Sequence, residues 1–139
     1  MRNTVLSLTC LGFLVIGAGH ATASRPPERR EKANYIVAGT VTAVYTRNPK
    51  GPGYRSYIVE MTIDEVEKGA GLRKGATFRA YCYQRTEGAG GLEFDSAGHT
   101  AVPQEGQRIK AFVNANNGRN EGVYQNWFDV IPALNKQDK

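Results

Sequence analysis

From Asn34 onward, apolar and polar positions alternate with a period of two, the pattern of half-buried β-strands. Tyr35 to Thr46 (YIVAGTVTAVYT) is rich in β-branched and aromatic residues, with Val37, Gly39, Val41 and Ala43 in phase. Tyr54 to Val66 sets Tyr57, Val59, Met61 and Ile63 against Ser56, Ile58, Glu60, Thr62 and Asp64. The phase breaks between Ile63 and Val66, which predicts a bulge near Asp64–Glu65. Turn residues are concentrated in Asn48-Pro49-Lys50-Gly51-Pro52-Gly53, so these two strands should form a long, bent hairpin. After the glycine-rich Lys68 to Gly75, a third strand is predicted over Thr77 to Gln84. Phe78, Ala80 and Cys82 share one face of it, and Arg79, Tyr81, Tyr83 and Arg85 project from the other. Thr86 to Gly106 has many glycines and no helical period, and reads as a long loop in which Leu92-Glu93-Phe94 could pair locally. Gln107 to Asn114 is a fourth strand, with Ile109, Ala111 and Val113 in phase. Asn116-Asn117-Gly118-Arg119 predicts a two-residue hairpin turn, because Asn-Gly tolerates positive φ at both central positions. Val123 to Ile131 is the expected last strand.

Five strands, with a long first hairpin, a wide gap before the fourth strand and a tight last hairpin, predict an all-β domain closed into a small five-stranded Greek-key barrel. Closure hides strand edges from other chains. The alternative is a six- or seven-stranded β-sandwich, if the long loop conceals a hairpin.

The ends have a different texture. Residues 1–23 read as a signal peptide: Arg2 gives a positive start, Val5 to Ala18 is uncharged and mostly apolar, and Ala21-Thr22-Ala23 offers a small-x-small cleavage site. The apolar run is short of the ~20 residues a spanning helix needs. Thr9 before Cys10, with the apolar run lying mostly after it, does not suit a lipoprotein acceptor. Ser24 to Ala33 (SRPPERREKA), with two prolines and mixed charge, reads as a flexible basic arm. The barrel is expected over residues 34–132, followed by a polar tail over 133–139.

Cleavage after Ala23 changes the composition. The mature chain has 116 residues, 17 Lys+Arg against 13 Asp+Glu, a net charge of +4, one cysteine (Cys82) and one histidine (His99). It has no internal disulfide to form, and one histidine with one cysteine make a poor zinc set. A hydrophobic core of this length can supply stability without staples. The chain has no Asn-x-Ser/Thr acceptor.

The strand order resembles the oligonucleotide/oligosaccharide-binding (OB) barrel, and more narrowly the netrin-like domain shared with tissue inhibitors of metalloproteinases. The resemblance rests on Gly39-Thr40-Val41-Thr42-Ala43-Val44, on Tyr57-Ile58-Val59-Glu60-Met61 leading into Val66-Glu67-Lys68-Gly69, and on Gly106-Gln107-Arg108-Ile109-Lys110-Ala111-Phe112-Val113. Together these motifs span Tyr35 to Ile131. The resemblance implies the barrel, placement outside the cytoplasm, and protease inhibition as one conceivable activity. Those inhibitors grip zinc through a mature amino-terminal cysteine, whereas Ser24 is the expected start here and the family's disulfides are missing.

Three constellations could carry chemistry. Cys82 and His99 are the only nucleophile–base pair in the mature chain. The phase of Cys82 with Phe78 and Ala80 makes it a buried small hydrophobe, and the Ser-Ala-Gly-His-Thr context makes His99 a solvated loop residue. Asp64–Glu65 and Glu93/Asp95 are carboxylate pairs of the kind glycosidases use, but loop solubility accounts for them more simply. Arg79, Tyr81, Tyr83 and Arg85 form a row of two cations and two rings on one sheet face. Such a row stacks on sugar rings or bases and meets anions. Alternatively it packs across the sheet against Glu60, Thr62 and Asp64.

The sequence therefore predicts an exported, monomeric, non-catalytic binding module, periplasmic or extracellular, with no cofactor, no metal and no membrane span after cleavage. Its expected ligand is a protein or an anionic glycan, since nucleic acid is a poor partner outside the cell. A small thiol enzyme or hydrolase built on Cys82 and His99, and an extracellular protease inhibitor, are the alternatives.

Overall fold

A computed structural model describes residues 25–47, 53–85 and 98–132. Residues 1–24, read above as an expected signal peptide and its junction, the tail 133–139 and most of the long loop, including Glu93 and Asp95, lie outside the described residues. Six strands follow a single 3₁₀ turn at Arg30–Lys32. They are β1 (Tyr35–Arg47), β2 (Tyr54–Lys68), β3 (Thr77–Arg85), β4 (Arg108–Asn116), β5 (Arg119–Gly122) and β6 (Phe128–Val130).

The sheet runs in the order β1-β2-β3-β5-β4-β6, and β1 also pairs with β4. That extra pairing closes β1, β2, β3, β5 and β4 into a five-stranded barrel with OB-like strand order, excluding the sandwich. All pairings are antiparallel except β3 with β5, which run parallel and meet at the single bridge Tyr81↔Glu121. Closure of so small a barrel needs strongly bent strands. β1 supplies the bend by pairing Tyr35 to Thr40 with β4 on one edge while Ile36 to Arg47 pairs with β2 on the other. The β1–β2 register slips at three places, one of them between Ala38↔Glu65 and Gly39↔Ile63, so Asp64 is the extra residue of a bulge where the sequence phase breaks. At Gly39 a Cβ would stand 2.2 Å from the Thr62 carbonyl oxygen, so only glycine allows the two backbones to approach this closely.

The interior is filled by the in-phase rows: Val37 and Val41, Val59 to Ile63, Phe78 to Cys82, and Ile109 to Val113 at alternate positions. The hairpin between β4 and β5 turns at Asn117 (φ 48°) and Gly118 (φ 78°), as the Asn-Gly pair predicts.

Two expectations change. The last strand is not continuous over Val123–Ile131. Gly122 lies opposite Val113 and Phe128 opposite Ala111, so β5 and β6 lie along one edge of β4 with Tyr124–Trp127 looped out between them. The Phe112 backbone bridges the interruption, accepting from the Val123 amide (3.0 Å) and donating to the Trp127 carbonyl (2.8 Å). The excursion buries both rings instead of alternating them across a strand: Trp127 joins the hydrophobic core, and Tyr124 packs on Tyr83 beneath Arg25.

The second change concerns the amino-terminal arm, which lies against the barrel from Arg25 to Ala33. Arg30 Nη1 lies 2.9 Å from both Asp129 carboxylate oxygens, and its Nε and Nη2 donate to the Asn126 and Phe128 carbonyls. Ala33 is buried in the core. Three of the charges that mark this segment as solvated in the sequence, Arg25, Glu28 and Arg30, are the groups that fasten it.

Candidate functional site

The outer side of the sheet places the predicted row on β3 directly beside β2. Register pairs Glu60 with Arg79, Ile58 with Tyr81, Ser56 with Tyr83 and Tyr54 with Arg85. Arg79 Nε donates to Glu60 Oε2 at 2.7 Å, which raises the guanidinium pKa further. Ser56 Oγ and the Tyr81 hydroxyl are 3.1 Å apart. The Arg119 guanidinium, arriving from β5, stands 4.1 Å from the Tyr81 ring centroid. Cross-strand packing thus engages Arg79 and Tyr81, with Glu60 and Ser56 as partners.

The row does not end as a uniform face. Tyr83 is covered by neighbours: the Tyr124 ring stacks at 6.4 Å, Tyr54 meets it edge-on at 5.9 Å, and His99 edge-on at 5.0 Å. Burial pushes the Tyr83 phenol above its ordinary value, against the pull of Arg25. What remains open is a diagonal of apolar and aromatic groups on β1 and β2 that runs up to the half-buried Tyr81 on β3. Tyr45 (54% exposed) lies opposite Ile58 (43%), which lies opposite Tyr81, and Tyr54 (43%) flanks them. Sequence phase puts Ile58 and Tyr54 on the outer side, but only the β1–β2 register brings Tyr45 beside Ile58.

His99 is 2% exposed and not solvated as its loop context predicts. Its backbone N–H donates to the Tyr83 carbonyl (2.8 Å), its Nδ1 accepts from the Tyr83 N–H (3.2 Å), and its Nε2 lies 2.8 Å from the Gly122 carbonyl. A carbonyl only accepts, so Nε2 carries the proton and Nδ1 is bare. One residue thereby joins β3 to β5 where their ladder has a single bridge. Burial holds the imidazole pKa below its ordinary value, against the hydrogen bonds to Gly122 and Tyr83. Cys82 faces the core, fully buried, and burial pushes its thiol up to about 12. Both ring nitrogens of His99 are engaged by backbone, and the thiol is not ionised near neutrality.

Above this seam, Glu121 is buried (5% exposed) between Arg25 Nη1 at 2.8 Å and Arg119 Nη2 at 3.3 Å. Arg25 also binds Glu28 at 2.6 Å and lies 4.9 Å from the Tyr124 ring centroid. Glu28 accepts from the Asn114 carboxamide (2.9 Å) and the Tyr124 amide (3.2 Å). Burial pulls the Glu28 carboxyl up, but the hydrogen bonds from Arg25 and Tyr124 outweigh it and hold the pKa below the ordinary value. Proximity in sequence links Arg25 with Glu28; nothing in the sequence pattern links either with Glu121.

Asp64 is paired with Arg108 at 3.1 Å. Among the described residues, no three His, Cys, Asp or Glu side chains are grouped to hold a metal ion, and no helix is long and apolar enough to cross a membrane.

Fold and surface define a small OB-like β-barrel with an aromatic and apolar diagonal, open on β1 and β2, on its β1–β2–β3 side. No protein-family model, curated protein or solved structure matches the chain.

Proposed function

We propose that the protein is an exported, non-catalytic binding module that uses the outer side of β1, β2 and β3 to hold a protein or an anionic glycan outside the cytoplasm. The observation that carries the reading is the row Tyr45–Ile58–Tyr81 across β1, β2 and β3, in which Tyr45 and Ile58 are exposed and Tyr81 is half-buried under Arg119, with exposed Tyr54 beside it. Tyrosines offer a flat apolar surface with few rotatable bonds, which favours recognition of rings and side chains. Arg79 and Arg119 flank the diagonal, each paired with a carboxylate, Glu60 and Glu121 respectively. Export is read from the leader at residues 1–23. Cys82 faces the core and His99 is held by the backbone of Tyr83 and Gly122, and their burial argues against the thiol-enzyme alternative.

The reading is tested by titrating the mature chain with heparin as an anionic glycan probe, and with envelope proteins purified individually after affinity isolation. Saturable binding of either kind, weakened by substitution of Tyr45 and Ile58, is expected. Absence of saturable binding to both classes overturns the reading.

A further inference from the structure

The far edge of β3 is satisfied piece by piece. Tyr83 is met by the backbone and ring of His99, and Tyr81 bridges to Glu121. Beyond that, among the described residues, β5 offers β3 no further ladder pairing. The Arg79 carbonyl is met at 3.2 Å by the side-chain amide of Asn120. Peptide groups alternate along a strand, and Ala76 turns its carbonyl to Ile63 on β2. Thr77 and Arg79 therefore turn their peptide groups the other way, toward the gap. In that gap lies a cleft of about 530 Å³, lined by Tyr35, Leu72, Phe78 and Asn120, with the Glu60–Arg79 pair at its rim.

We propose that this cleft is a docking site for an extended, uncharged polypeptide segment of a partner protein, which adds as a short strand to β3 at Thr77–Arg79. The proposal rests on the binding-module reading and narrows its partner to a protein. Three observations select this occupant. The edge presents main-chain groups, whose complement is another main chain. Asn120 already fills the place of a strand N–H with a carboxamide, the side-chain group closest to a peptide amide. Glu60 and Arg79 neutralise each other at 2.7 Å, so the rim favours no net charge, and the lining is mostly polar, with Tyr35, Leu72 and Phe78 as its apolar part. A volume near 500 Å³ lies within the usual range of ligand sites.

The test is selection from a random heptapeptide library on the immobilised chain, followed by calorimetric titration of a recovered peptide. The expected peptides are uncharged and rich in β-branched residues. N-methylation at alternate amides should weaken binding at least tenfold, because it removes the donors that face β3. Ala70→Trp, placed at the exposed turn beside the cleft, should weaken it similarly without changing Tm. Asn120→Ala, which removes the internal stand-in, should strengthen it about three- to tenfold, the worth of one hydrogen bond. Failure to enrich any peptide, or binding indifferent to N-methylation and to both variants, overturns the proposal. Peptides or glycans lost only on substitution of Tyr45 and Ile58 would leave the binding-module reading standing while removing the cleft. Loss of both would remove the two together.

Discussion

At the scale of single residues, the two side chains best suited to catalysis are structural. His99 accepts the Tyr83 N–H at Nδ1 and donates to Gly122 from Nε2. Protonation would turn Nδ1 from acceptor to donor, so it would release the half-buried Tyr83 N–H and face the Tyr83 carbonyl, also 3.2 Å away, instead. The sign follows from the lowered imidazole pKa: below its ordinary value of 6.5 the unfolded chain takes up a proton that folded His99 refuses. Stability should therefore fall as pH drops through 6.5, by up to ~1.4 kcal/mol per pH unit for the single proton. Glu28 adds a second loss at more acid pH, as its depressed carboxyl is protonated. Urea unfolding of His99→Gln at pH 7.5 and pH 5.5 should show lower stability at pH 7.5, by about 1–3 kcal/mol, and a flatter decline than the parent. An unchanged pH dependence would contradict the seam. For Cys82, buried with its thiol pushed up to about 12, a colourimetric thiol reagent should react with the native chain only as fast as it unfolds, and fully in denaturant. Rapid native labelling would restore the thiol as a reactive group. The sequence makes Cys82 legible because it keeps phase with Phe78 and Ala80. It misplaces His99 because the partners that bury it, Tyr83 and Gly122, are 16 and 23 residues away.

At the scale of elements, strands with strict alternation are legible almost to their ends, as β1 to β4 show, since period-two burial is a local property. The bulge at Asp64 is visible for the same reason, as a break in phase. The β5–β6 edge is different. Val123 to Ile131 carries enough aromatic and β-branched residues to pass for one strand, yet Tyr124 to Trp127 leaves the ladder to bury two rings. Propensity yields to packing there. Gly122 makes room for that choice: a Cβ would stand 2.7 Å from the Trp127 ring. Gly122→Ala should therefore lower stability by about 1–3 kcal/mol, through a forced shift of Trp127, seen as a lower denaturation midpoint and altered tryptophan emission. Full retention of both would mean the ring moves freely, against the tight contact. The amino-terminal segment is the other illegible element. Its prolines and charges suit a free arm, while the three carboxylates that hold it, Glu28, Glu121 and Asp129, are spread across 101 residues of sequence numbering.

At the scale of the whole molecule, closure depends on one weak place. Four of the five barrel contacts are antiparallel ladders of four or more register pairs, and the parallel β3–β5 contact is a single bridge. His99 and Asn120 reinforce that seam from side chains, while the Glu121 carboxylate ties β5 to the amino-terminal arm through Arg25. The proposed binding surface lies on the outer side. Its aromatic members on β3 are legible from alternation alone, whereas Tyr45 and Ile58 gain meaning only from their register with β3. The most direct measurement is a titration of one purified partner, heparin or an isolated envelope protein, against the parent chain and the Tyr45→Ala/Ile58→Ala variant. Matched thermal denaturation of the two chains serves as the folding control. Binding at least tenfold weaker in the variant at unchanged Tm is the result the outer-face account predicts, in keeping with the cost of removing central apolar anchors. Equal affinity in both chains would contradict it.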